Sequence, residues 1–159
     1  MEAEIRGLSV RQPWAWAICH GKSVENRSRA TRQRGLIAIH ASKSAPFKAD
    51  LEDPRIVDLI EANGFRLDDP PSAQGAVVAL AELTGCHADW TCVKRGIGAF
   101  AGCMKWGTNA GDGQHHWLLA NVRPLPEPVP CRGALGLWHL PDDVEKAVRA
   151  QLGEDGEHA

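Results

Sequence analysis

SVRQPWAWAICHGKSVENRS, from Ser9 to Ser28, is the stretch from which the fold of this chain can be read. Pro13 suits the first position of a helix, where its missing N–H costs nothing. Gly21 suits the left-handed position that closes one. Pro13–His20 between them gives about two turns at 3.6 residues per turn. Ser23–Ser28 then alternates, with Val24 on one face and Glu25 and Arg27 on the other. The unit reads as a short helix, a tight turn carrying Lys22, and a strand with a charged face. Such a unit builds a site rather than a core.

Charge is distributed unevenly around this unit. The 159 residues carry a formal net charge of −2, which by itself argues against a nucleic-acid binder. Yet Ile5 to Lys48 holds nine Lys or Arg against the single acid Glu25, while residues 49–159 hold nine basic and seventeen acidic residues. That asymmetry can place a positive face on a near-neutral protein. Hydrophobic content is 43% and charged content 24%, ordinary for one globular domain. No run of about eighteen apolar residues exists, so no membrane span is expected. MEAEIRG at the start has no apolar segment of secretory type. Five cysteines without close pairing suit a reducing cytoplasm.

Outward from the opening unit, Leu8–Val10 reads as a short strand and Leu36–Ala41 as a buried one. A helix is expected from Asp53 or Pro54 to about Asn63, stopped by Gly64. Gly75–Leu83 (GAVVALAEL) is the strongest buried strand. Thr84–Gln114 holds seven glycines and no sustained period, and reads as a long excursion between strands. His116–Val122 and Ala134–Leu140 complete the strands, separated by a proline-punctuated turn at Pro124–Pro130. A terminal helix is expected from Asp142 to about Leu152, then the polar tail GEDGEHA. The sum is a β-rich α+β domain, a small barrel with short flanking helices.

The segments SVRQPWAWAI, HGKSVENR, RGLIAIHAS, GAVVALAEL and HWLLANVRPLPEPVPCRGALGLW resemble the ASCH domain family, in its bacterial and phage members. The resemblance spans about Leu8 to Leu140, and sets a domain at 5–140 ahead of the helix and tail at 141–159. It implies a PUA-like β-barrel, a fold associated with RNA binding and modified-nucleoside recognition. It also implies a ligand cleft between the helix and the barrel, near G-K-x-x-E-x-R. An amidohydrolase branch acting on N4-acylated cytidine uses a lysine, a threonine three residues later and a distant strand glutamate. Lys22 and Glu82 match the lysine and the glutamate, but the threonine position is Glu25, which is no hydroxyl nucleophile.

The residues themselves offer the following candidates. Trp14 and Trp16 lie about 200° apart on a helix. Trp14 shares the apolar face of Ala17 and Ile18 and is expected inward, with Trp16 beside His20; either can present a stacking platform for a base. Lys22, placed at a turn, can reach into a cleft. Glu25 and Arg27 can pair with each other on their strand or hold a base and a phosphate. Glu82, with Val78 and Leu80 on one expected face, needs a partner there, and Lys22 or Arg27 is the expected one. His40 reads as a satisfied core histidine or a ligand contact. Ser42 and Lys43 just past that strand, with Arg29, Arg32 and Arg34, can track a phosphate backbone.

Cys86, His87, Cys92, Cys103, His115 and His116 show no C-x-x-C or H-x-x-x-H spacing, so no metal site is expected. No phosphate-cradling glycine loop is present, and no cofactor is expected. The first expectation for function is therefore a nucleic-acid-binding module, for RNA in preference to single-stranded DNA or a modified nucleoside. The second is a hydrolase on the same scaffold, with Lys22 and Glu82 exchanging protons, or a ribonuclease. A protein-interaction module using the long excursion is the third.

Overall fold

The computed structural model describes residues 3–95, 101–108 and 113–153. In chain order the elements are β1 (Arg6–Val10), α1 (Trp14–Ile18), β2 (Val24–Arg27), β3 (Gly35–Ala41), α2 (Lys48–Leu51) and α3 (Pro54–Ala62). Then come β4 (Ala76–Ala88), α4 (Asp89–Arg95), α5 (Ala101–Trp106), β5 (His115–Pro130), β6 (Leu137–His139) and α6 (Asp142–Leu152). The strands form one curled six-stranded sheet, a half-barrel, in the order β2-β5-β4-β3-β1-β6. β1 and β3 run parallel and the other neighbours antiparallel. β2 and β6 are thus the two edges.

Both sheet faces are covered. On one side α1 lays Ala15 and Ile18 against Leu8, Val10, Ile37, Ile39, Ala81, Leu83 and Trp117. On the other, Val144 and Val148 of α6 pack on Ala38, Val77, Leu80, Leu125 and Trp138. The expected helices at Pro13, Pro54 and Asp142 all form, with Asp53 capping α3 through Arg55 N–H and Gly153 closing α6 at φ +69°. α1 is shorter than expected. It gains an acceptor from the Gln12 side chain, whose Oε1 takes the Trp16 N–H at 2.9 Å while its Nε2 donates to the Ala73 carbonyl.

Two expectations about strands need correction. β4 continues through the first part of the supposed excursion to Ala88, pairing with β5 as far as His115. β5 in turn continues through Pro124–Pro130 rather than turning there. Residues 115–118 pair with both β2 and β4, whereas 123–130 pair with β4 alone. Proline, lacking an N–H, is tolerated where a strand pairs on one side only. α4 and α5 fill the rest of the excursion, of which residues 96–100 and 109–112 lie outside the described residues, as does the tail beyond Gly153. Among the described residues no helix is long and apolar enough to cross a membrane.

Candidate nucleic-acid interface

Among the described residues, cavities flank β1 and β2, and three of them gather candidate residues. The first, of about 300 Å3, is lined by Trp14, Lys22, Glu25, Asn26, Arg55, Trp106 and Thr108. Lys22 is buried, 2% exposed, at the turn that Gly21 makes with φ +109°. Its Nζ donates to the Val24 carbonyl and lies 3.4 Å from Glu25 Oε2. Burial pushes its pKa below the ordinary 10.5, with Glu25 opposing that shift. Arg55 stands over both indoles, 5.4 Å from the Trp14 ring and 5.5 Å from that of Trp106. It is held by a two-point ion pair to Asp53 and by a bond to the Lys105 carbonyl. Asn26 fixes the opposite wall, donating to the Trp106 carbonyl and accepting the Thr108 N–H, both at 2.9 Å.

The second cavity, about 520 Å3, lies between the two edge strands and is lined by Arg27, Arg29, Thr31, Trp117 and Leu135–Leu137 among others. The third, about 400 Å3, adjoins it at Leu135 and brings His40, Ser42, Lys43 and Arg132 together. Arg27 links all three. Its Nη2 donates to the Ser9 carbonyl at 2.6 Å, and its Nε is 3.9 Å from Glu25 Oε1. Ser9 also bonds His40 Nδ1, whose other ring nitrogen donates to the Cys131 carbonyl at 2.7 Å. A carbonyl can only accept, so His40 carries a proton on Nε2, and its Nδ1 can accept a hydrogen bond from the Ser9 hydroxyl.

The sequence of residues 8–129 matches the ASCH domain. The chain belongs to the ASCH domain family. Solved structures similar to this ASCH domain include ASCH from Zymomonas mobilis, at 16% identity and a TM-score of 0.52, covering 92% of this chain and 94% of that one. A single-substitution variant of that protein gives 15% identity and a TM-score of 0.53, over 93% and 98% of the two chains. The likeness is one of fold. No curated protein matches the sequence of this ASCH domain.

The sequence-derived candidates separate into groups in this ASCH domain. Trp14, Lys22 and Glu25 meet in the first cavity, Arg27 and Arg29 in the second, and His40, Ser42 and Lys43 in the third. Arg32 and Arg34 are exposed on the connection before β3, Arg34 bonding the Thr31 and Gln33 carbonyls of its own loop.

Trp16 stacks on His20 as expected, with ring centroids 4.3 Å apart, and Trp14 packs against the core while still half-buried. Trp16 is 9% exposed, packed with Ile56 and Ile60 of α3, and Trp14 is the one facing a cavity. α3 covers the face of α1 that carries Trp16. His40 does not join the cleft of Lys22, and both its ring nitrogens are engaged.

Glu82 departs furthest from expectation. Its Oε2 accepts from Asn121 at 2.6 Å, while Lys22 pairs with Glu25. A register shift between Val77 and Ala79 breaks the strict alternation, so Val78 packs on the α1 side and Leu80 on the α6 side. Glu82 aligns with Leu36, which packs toward α6, away from the Lys22 side.

Asn26, Arg55, Trp106 and Thr108 were not singled out from sequence. Arg55 two residues after an Asp helix cap was the one local signal available; the other three depend on a chain return of some eighty residues.

The structure also gathers His87, Cys92, Cys103 and His116 beside the first cavity, with one ligand atom of each within 4.8 Å of the others. Spacing along the chain did not suggest this group.

Proposed function

We propose that this protein is an RNA-binding domain that seats single-stranded RNA along the seam between β2 and β6. One observation carries this reading. The two adjoining cavities bring Arg27, Arg29, Lys43 and Arg132 together, and among the described residues no carboxylate lines either. Cations gathered on one groove attract the phosphate chain of a nucleic acid. The first cavity, with two indole walls and the hydrogen-bonding groups of Glu25 and Asn26, suits one unstacked base. The association of the ASCH family with RNA binding agrees with this.

Fluorescence anisotropy with a single-stranded RNA of about a dozen nucleotides tests it. Four phosphate contacts predict a fall of log K with log salt of slope about −3. Arg29→Ala, Lys43→Ala and Arg132→Ala should each weaken binding and flatten the slope by about 0.7. Binding indifferent to salt, or unchanged in the triple variant, overturns the proposal.

A second reading, hydrolysis of an acylated nucleoside in the first cavity, has its own support. Lys22, Glu25 and Thr108 line one small pocket, and a lysine with a lowered pKa is a candidate base. Release of cytidine from N4-acetylcytidine, lost in Thr108→Ala and in Lys22→Met, would establish this activity. No turnover by the wild type would dismiss it.

A further inference from the structure

We infer that His87, Cys92, Cys103 and His116 form a structural zinc site that pins α4 and α5 to the sheet. The four residues come from the end of β4, from α4, from α5 and from the start of β5. His87 Nε2 lies 2.9 Å from Cys92 Sγ, 3.6 Å from Cys103 Sγ and 3.2 Å from His116 Nδ1; Cys92 Sγ lies 3.3 Å from His116 Nδ1. A tetrahedral zinc with Zn–S of about 2.3 Å and Zn–N of about 2.0 Å separates its ligand atoms by about 3.3 Å for N–N and about 3.5 Å for N–S. Most of the observed separations are within a few tenths of an ångström of those values. Two imidazoles and two thiols are a donor set for zinc rather than for magnesium or calcium, which take oxygen.

The surroundings orient the ligands. His116 Nε2 lies 3.1 Å from the Thr108 carbonyl, which can only accept, so the proton sits on Nε2 and the Nδ1 lone pair faces the cluster. Gly107 presses on the same ring: a Cβ there would come within 2.7 Å of Nε2 and Cε1. His116 is 1% exposed and Cys103 7%. Four protein ligands complete the tetrahedron and leave no position for substrate, which marks a structural centre rather than a catalytic one. Trp106 and Thr108, three and five residues past Cys103, line the Lys22 cavity, so the metal would also fix that wall.

The test is metal analysis of the full chain, purified under reductant from zinc-replete cells. One zinc per chain is expected. Removal by a chelator should lower Tm, and zinc added back should restore it. Cobalt(II) added to the stripped wild type should give the intense visible bands of a tetrahedral thiolate site. Cys92→Ser and Cys103→Ser should abolish those bands, whereas Cys19→Ser, Cys86→Ser and Cys131→Ser should keep them. The wild-type cobalt spectrum decides the matter even where a variant fails to fold. Zinc binding weaker than about 1 μM, an octahedral cobalt spectrum, or a Cys92–Cys103 disulfide in place of metal would overturn the proposal.

Discussion

Arg27 on one edge of the sheet donates through Nη2 to the carbonyl of Ser9 on β1, bridging the gap that β2 and β6 leave unpaired. The side chain that lines the second cavity is therefore also a strut across the open side of the half-barrel. Its Nε, buried, has no hydrogen bond, the nearby acceptor being Glu25 Oε1 at 3.9 Å.

Arg27→Ala should therefore act on both stability and binding. Loss of a charge-assisted bond to a carbonyl costs about 1.5–3 kcal/mol, readable as a lower urea midpoint. RNA affinity should fall beyond what a lost phosphate contact alone produces. Arg27→Lys should recover part of the affinity but little of the strut, because an ammonium lacks the guanidinium fork. Equal stability of wild type and Arg27→Ala would show that the seam does not need this bond.

Lys22 and Glu25 are coupled, and a double-mutant cycle measures by how much. Removing the ammonium leaves Glu25, 8% exposed, with only the more distant Arg27. Lys22→Met should cost about 3 kcal/mol in urea unfolding. Adding Glu25→Gln should recover much of that loss, since the uncompensated charge is gone. Strictly additive effects would mean that the two groups do not stabilise one another.

Asp53 caps α3 and holds Arg55 between the indoles. Asp53→Ala should cost about 1 kcal/mol as a lost cap. Asp53→Asn keeps a capping oxygen and isolates the charge. The hydrogen bonds from Arg55 hold the Asp53 carboxyl below the ordinary 3.8. Its contribution is thus present above pH 3.8 and lost as pH falls through the folded-state value. The Tm gap between wild type and Asp53→Asn should be constant at neutral pH and close below about pH 3.8. A gap that widens in acid contradicts this assignment.

Gly7 is fixed by Trp138, its register partner across β1 and β6. A Cβ at position 7 would lie 2.5 Å from the indole. Gly7→Ala should destabilise by about 1–3 kcal/mol through overpacking. Combining it with Trp138→Leu should cost less than the two single effects together, because the smaller side chain makes room. Full additivity would place the strain elsewhere.

Short-range chemistry in the sequence was enough for the elements that opened the reading. Pro13, Gly21, Asp53, Gly64 and the β-branched run at Leu36–Ala41 act within a turn or a strand, so α1, α3, β3 and the turn carrying Lys22 were legible, and with them the α+β class, whereas α2, α4 and α5 were not. Three of the four cations that line the two seam cavities, Arg27, Arg29 and Lys43, belong to the positive stretch Ile5–Lys48, whereas Arg132 lies outside it. Tertiary packing alone decided the rest. Which tryptophan of α1 is buried depended on α3, a separate element some forty residues away, closing over Trp16. Glu82 keeps the face of Leu80, as alternation requires, but that face lies on the α6 side, away from Lys22, and period-two alternation cannot tell which side of the sheet carries which helix. His87, Cys92, Cys103 and His116 carry no spacing signature because their proximity comes from the β4–β5 pairing, which brings residues 87 and 116 side by side. Local propensity reaches only a few residues along the chain, whereas sites form where distant segments are pressed together by burial of their apolar faces.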